Sequence, residues 1–347
     1  MMKKPNILLP TLLFLFFSFM LKAQPQSPAM QFWDWIMIPY NTSFDMSYNL
    51  AIDVIHSSPA NQQYILKAID ELDNTTKNAL KVYAELPADL LPEYEKLRKN
   101  AALAIKTMRV LLDFDNMRAR ELSSNTTLTS REVLQRIKQG ELLSHRLDSI
   151  QRSFYKDIQT YAQSNKIRLI EGDTASAHEK KNVAEVLDFS TEMYKTYLES
   201  KIPFEDFLNF LKLEDTIALH NARKELSVVV QIKMKQLDEK RGEKSKDALF
   251  LEVEQFLKTL RTFSEKPSAD FMKLLTTPKH DHTQQIFDDY NAVIKALNTV
   301  YLPSVNGFNE KYSEYKQNNI KPRKTKIQVV SSDWWKLTAL KGQEMLE

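Results

Sequence analysis

Apolar residues recur along most of this chain at alternating steps of four and three. Between Ile65 and Leu86 the stripe is Ile65, Ile69, Leu72, Thr76, Ala79, Tyr83 and Leu86. Residues three and four apart share a helix face, so these steps keep one side of a helix apolar. Pro87 ends it. A further helix is expected after Ala88-Asp89, through Leu97, Ala101, Ala104, Ile105, Met108 and Leu112 toward Ser123. Past the polar link Ser124-Asn125-Thr126-Thr127, Thr129 or Ser130 is placed to cap the next helix, with Glu132 where its charge suits the helix dipole. Its stripe is Val133, Ile137, Gly140, Leu143, Leu147, Ile150, Phe154, Ile158 and Tyr161. That helix runs to roughly 35 residues, or about 50 Å at 1.5 Å per residue. Glycine in its middle costs about 1 kcal/mol against alanine, and the expectation for Gly140 is close approach by a neighbouring helix.

Ile170-Glu171-Gly172-Asp173-Thr174 interrupts the pattern, with Gly172 suited to a left-handed turn. The stripe then resumes. One helix is expected from about Ser176 to Ser200. Pro203 is read as opening another that continues to about Lys240, before a turn at Arg241-Gly242-Glu243. Phe250, Val253, Phe256, Leu257, Leu260 and Phe263 follow, then a short helix between Pro267 and Pro278. A last long helix carries Ile286, Tyr290, Val293, Leu297 and Val300, with a kink expected at Pro303. Short links between long helices make neighbours antiparallel. The fold class expected is therefore all-α, with two tandem four-helix bundles over 24–170 and 171–320. The halves also echo one another. Each opens on a tyrosine-bearing helix, around Tyr48 and Tyr197, and each closes on similar words, Tyr161-Ala-Gln-Ser-Asn-Lys-Ile and Tyr315-Lys-Gln-Asn-Asn-Ile.

Composition narrows the chemistry. The 347 residues include no cysteine and only five glycines. There is no disulfide, thiolate metal site or cysteine nucleophile, and so few glycines argue against a Rossmann domain or a glycine-rich barrel. Hydrophobic residues make up 43% and charged residues 27%, which is ordinary for a globular chain. The N-terminus reads as a secretory signal over residues 1–23. Lys3 and Lys4 precede an apolar run from Ile7 to Leu21, and the expected cleavage lies between Ala23 and Gln24. The run is shorter than the roughly 20 residues that span a bilayer, so no transmembrane helix is expected in the mature chain. Removing Lys3, Lys4 and Lys22 turns the formal charge of +3 into zero, and the basic balance then argues for no nucleic-acid partner. The protein is expected to be exported, to the periplasm or cell surface, and not as a Cys-anchored lipoprotein. Basic charge gathers in a separate C-terminal segment, 321–347, in Lys321, Arg323, Lys324 and Lys326. With Trp334 and Trp335, these form a candidate contact for a partner or an anionic membrane surface.

Catalytic motifs are not found. There is no HExxH, GxSxG, Walker loop or paired-cysteine motif, and no Glu-x-x-His of the kind di-iron bundles use. Glu141 and His145 share a helix face, and His280-Asp281-His282 alternates, but neither gathers a third ligand, so no metal or cofactor is expected. The acidic pairs Glu205-Asp206, Glu214-Asp215 and Asp288-Asp289 read as solvated surface or first-turn charge. Phe32-Trp33-Asp34-Trp35-Ile36 reads as an end-plug for a bundle.

The signal segment, the missing cysteine, the long helices and the words SFYKDIQTYAQSNKI and YLPSVNGFNEKYSEYKQNNI resemble uncharacterised secreted helical envelope proteins of Bacteroidota. That resemblance implies no activity and no site residues. Asp173-Thr174-Ala175 resembles the Asp-Thr/Ser-apolar acceptor of periplasmic O-glycosylation in that phylum, which makes Thr174 a candidate modification site. Asp215-Thr216-Ile217 fits the same word but is expected inside a helix. The function expected is binding or a structural part in the cell envelope, with an envelope protein, a glycan or an anionic surface as partner. The alternatives are a carrier of a small apolar or lipid ligand between helices, and an enzyme without a recognisable motif.

Overall fold

A computed structural model describes residues 28–86, 92–122, 128–169, 174–242 and 247–323; for residues 28, 30–32, 92–93 and 174–177 it describes the backbone alone. The chain is helical, with no strand among the described residues. In the first bundle, α1 (Pro28–Ile55), α2 (Gln62–Glu85) and α3 (Pro92–Leu112) are followed by a short α4 (Phe114–Leu122) and a long α5 (Ser130–Ser164). The second has the same plan. Two long helices, α6 (Thr174–Lys212) and α7 (Thr216–Glu239), lead to α8 (Ala248–Glu265) and a short α9 (Pro267–Thr276). A long final pair closes it: α10 (Gln284–Ala296) runs through a π turn, Leu297–Tyr301, into α11 (Leu302–Asn319).

The helices start where the sequence offers caps. Thr129, one of the two expected caps, caps α5, and Glu132 completes a capping box with it, each satisfying the other's backbone N–H. Asp215 accepts from the N–H of Ala218, and Asp247 from Leu249 and Phe250. The bundles close antiparallel. Tyr161, near the end of α5, donates to the carbonyl of Ala29 at the start of α1 (2.7 Å), and Tyr40 of α1 packs on Phe154 of α5.

The likeness of the halves extends to single positions. Ile65, Ala68, Leu72 and Thr76 line the core face of α2. Leu219, Ala222, Leu226 and Val230, each 154 residues later (65 to 219), line that of α7, and all eight are buried. In α3 and α8 the interval is 156 residues (94 to 250): Tyr94, Leu97, Ala101 and Ala104 match Phe250, Val253, Leu257 and Leu260. Tyr40 on Phe154 (centroids 4.5 Å apart) is repeated by Tyr197 on Phe308 (4.2 Å). Asn165 donates to the carbonyl of Tyr161 as Asn319 does to that of Tyr315.

Some expected boundaries fall elsewhere. The helix expected to reach Ser123 breaks at Asp113, whose φ of +46° is outside the helical range. Pro203 opens nothing, because α6 runs through it. A proline inside a helix costs about 3 kcal/mol, and the adjacent Phe204 and Phe207, both fully buried, hold the helix against its core. The break comes instead at Glu214 (φ +55°), so Asp215-Thr216-Ile217 opens α7 at the surface instead of lying within a helix. Pro303 is the second residue of α11, one residue past the end of the π turn. Gly140 is not closely approached: a Cβ there would meet only Leu111 Cδ1, at an ordinary 3.9 Å. Trp33 and Trp35 lie within α1. Trp35 is buried in the first core and Trp33 stacks on Tyr161.

Candidate functional site

The stripe of α5 serves two cores. From Leu147 to Tyr161 it packs in the first bundle, while Val133, Leu134 and Ile137 pack against the core of the second. The first turns of α5 therefore lie along α6, and charge pairs line the crossing. Arg131 pairs with Asp206, Ser130 donates to Glu205 (3.0 Å), Lys138 pairs with Glu199 (3.1 Å), and Lys195 reaches both oxygens of Glu141 (2.8 Å). Residue numbers rise on α5 as they fall on α6, as an antiparallel pair requires. Glu199 also holds Lys233 of α7. Burial raises the Glu199 carboxyl, and the two lysines bring it back below its ordinary value. Glu205 and Asp206, read from sequence as surface or first-turn charge, thus tie the bundles together with Glu141.

A second junction joins the end of α1 to the end of α11. Ile52, Val183 and Ile320 form a small buried cluster between the bundles. Around it, His56 Nε2 lies 2.8 Å from the carbonyl of Ile320, Gln317 donates to the carbonyl of Ile55 (3.1 Å), and Arg323 donates to Asp53 (3.1 Å), which also accepts from Tyr64. Asp53 lies in the last turn of α1 and His56 directly after its end, three residues on; that spacing is the sequence signal for this junction. Arg323, expected as an outward contact, is committed here to the first bundle, its side chain only 17% exposed. Lys321 is exposed beside it. Lys324, Lys326, Trp334 and Trp335 lie outside the described residues, as do Ala23 and Gln24. Thr174 is the first residue of α6.

Inside the first bundle a carboxylate takes the place of apolar packing. Asp73 of α2, 5% exposed, accepts from Arg109 of α3 (2.6 Å), Arg118 of α4 (2.7 Å) and Lys77 (3.0 Å). Burial alone would raise its pKa, but the hydrogen bonds from Arg118, Lys77 and Arg109 outweigh it and hold the carboxyl at about 2. Asp157 of α5 is likewise buried and takes Lys96 and Asn100 of α3 (both 2.6 Å). In the second bundle Lys316 stands partly buried, its Nζ 4.0 Å from the ring centre of Tyr312, and desolvation pushes its amine down to about 8.

Between α2 and α3 lies an open groove of about 410 Å³. Leu80, Tyr83, Ala84, Ala102 and Leu103 give its apolar lining, with Tyr83 buried and Ala84 and Leu103 exposed, and Arg98, Lys99 and Lys106 its charged lining. Arg98 is held by Glu95 through two bonds of 2.7 Å, and Lys99 shares that carboxylate at 3.0 Å. The alternating histidines do not converge. His280 is exposed beside Asp281, whereas His282 bonds the carbonyl of Thr277 and packs edge-on to Phe287. Among the described residues no three His, Asp or Glu side chains gather as a metal site, and no described helix is long and apolar enough to cross a membrane. No family model, curated protein or solved structure matches this chain.

Proposed function

We propose that this is an exported, non-enzymatic protein that acts in the cell envelope by binding or as a structural part. The observation that carries the reading is the pair of junctions between the bundles. Two four-helix bundles joined only by a linker would be free to move against each other. Here a ladder of ion pairs between α5 and α6, and the cluster where α1 meets α11, spend buried area and directional bonds on fixing them. A fixed double bundle suits a surface presented to another molecule. The segment over residues 1–23 and the resemblance to helical envelope proteins of Bacteroidota support the location. The second reading, a carrier of a small apolar or lipid ligand, is favoured by the floor of the α2/α3 groove.

The test is fractionation of the native cell followed by a pull-down with the chain from Gln24 onward. Export predicts an N-terminus near Gln24 on protein recovered from the envelope; a Met1 terminus on cytosolic protein would sink it. Binding predicts an envelope component retained by the intact chain and lost after reversal of the ladder charges at Lys138 and Lys195.

A further inference from the structure

We infer that the α2/α3 groove binds a single-chain amphiphile with a carboxylate headgroup, of the medium-chain fatty acid class. This deepens the binding reading above and rests on it. The cavity, about 410 Å³, falls at the lower end of the roughly 300–1,000 Å³ typical of small-molecule sites. Its lining is apolar at Leu80, Tyr83, Ala84, Ala102 and Leu103, and the short side chains of Ala84 and Ala102 leave it open. Its rim is cationic: Lys106 has no partner among the described residues, and two turns back along α3 lie Lys99 and Arg98. An apolar lining with its unpaired cation, Lys106, at one end fits a chain with one anionic end.

The internal repeat shows that the fold does not require this opening. At the matching intervals the second bundle carries Asp238 for Ala84 and Lys258 for Ala102. Both are tied into charge pairs, Asp238 with Arg241, and Lys258 with Glu254, which also takes Arg241. The same frame is thus bridged by ion pairs on one side of the repeat and left open and apolar on the other. The headgroup follows from how the cations are paired. Glu95 takes Arg98 and Lys99, and Arg98 also donates to the carbonyl of Tyr83, so Lys106 is the lining cation left to take one carboxylate.

Isothermal titration of the full chain with decanoate, kept below its micelle concentration, tests this. One saturable site is expected. Decyltrimethylammonium, with the same chain and opposite charge, should not bind. Lys106→Glu and Ala102→Phe should each weaken decanoate by about tenfold or more, the scale of one lost charge contact or a blocked cavity. Thr259→Phe, at the position matching Leu103, should leave binding unchanged. Lys106 is exposed, so its variant keeps the fold even if Ala102→Phe does not, and circular dichroism checks both. Absence of saturable binding, equal affinity for the cation, or affinity unmoved by Lys106→Glu would overturn the inference. If decanoate fails to bind while the chain still retains an envelope component, this inference falls and the binding reading stands.

Discussion

The two bundles share one plan and fill it differently. Where α2 of the first carries Asp73 and Thr76 on its core face, α7 of the second carries Ser227 and Val230. Where α3 carries Asn100, Ala101 and Ala104, α8 carries Phe256, Leu257 and Leu260. The first interior is therefore fixed in part by hydrogen-bonded charge, with Asp73 held by Arg109 and Arg118, and Asp157 by Lys96 and Asn100. The second is fixed by rings: Phe263 is fully buried and meets Phe204 (5.0 Å), Phe207 (5.4 Å) and Tyr301 (4.9 Å). A helical frame tolerates either solution, because backbone bonds are satisfied within each helix and only side chains decide how neighbours lock. The solutions differ in what disturbs them. Ring packing is indifferent to pH, whereas a buried carboxylate is not.

The largest expected effect breaks the ring side of the comparison. Phe263→Ala removes a side chain that packs with four other rings, Phe271 being the fourth, and should cost about 3–5 kcal/mol. Urea melts at pH 7 and pH 3 should give a similar loss, since no titrating group is involved. Asp73→Asn tests the other side. It keeps the size but removes the charge opposite two guanidinium groups, and should cost about 2 kcal/mol at pH 7, somewhat less than for fully buried pairs because Arg109 and Arg118 reach solvent. The carboxyl is lowered on folding from 3.8 to about 2. Its stabilisation is thus complete above about pH 4 and lost as pH falls through 2, so the gap between wild type and variant should close over that window. A gap that stays constant from pH 7 to pH 2 would show that Asp73 acts by shape alone.

Much of this was legible in the chain, for physical reasons that also mark where legibility ends. The stripe from Ile65 to Tyr83 is the buried face of α2, and Thr129 with Glu132 starts α5 as expected, because periodicity and capping are local. The end of α6 was not legible. Pro203 is a strong local breaker, but burial of Phe204 and Phe207 is a tertiary fact that overrides it. The junctions were hidden for a similar reason. Glu205 and Asp206 look like surface charge until α5 overshoots its own bundle and brings Ser130 and Arg131 beside them. The groove depends on what Ala84 and Ala102 lack, and a missing side chain leaves no mark until a facing helix shows the space.

Lys316 sharpens the comparison from the second bundle. Its counterpart 154 residues earlier (162 to 316) is the buried Ala162. The amine sits over Tyr312 with no carboxylate partner among the described residues, and desolvation lowers it from 10.5 to about 8. The native state then binds fewer protons than the unfolded chain between pH 8 and 10.5, so stability rises with pH there, and below pH 8 the desolvated charge is a constant cost. Lys316→Met should therefore stabilise the protein at pH 7 by about 1 kcal/mol, allowing for the lost contact with the ring. The advantage should shrink toward pH 10.5. Thermal melts at pH 7 and pH 10 decide it, and a variant less stable than wild type at pH 7 would show that the ring contact outweighs desolvation.

The smallest effect concerns Gly140, which matches Ile294 of the second bundle, a partly buried residue packed on its core. On the first side the position has no side chain, although no neighbour excludes one: a Cβ would stand 3.9 Å from Leu111 Cδ1, an ordinary contact. Glycine in a helix interior gives up more backbone freedom on folding than alanine does, at a cost of roughly 0.8–1 kcal/mol. Gly140→Ala should recover most of that and add a weak contact with Leu111, raising stability by somewhat under 1 kcal/mol in urea melts. Gly140→Ile would restore the residue type of the other half. Its larger side chain has to find room beside Leu111, so it should gain less than alanine or lose. Should alanine destabilise instead, α5 must bend or slide at Gly140 in a way that a straight, loosely approached helix does not explain, and the helix shared by both cores would then be their point of adjustment.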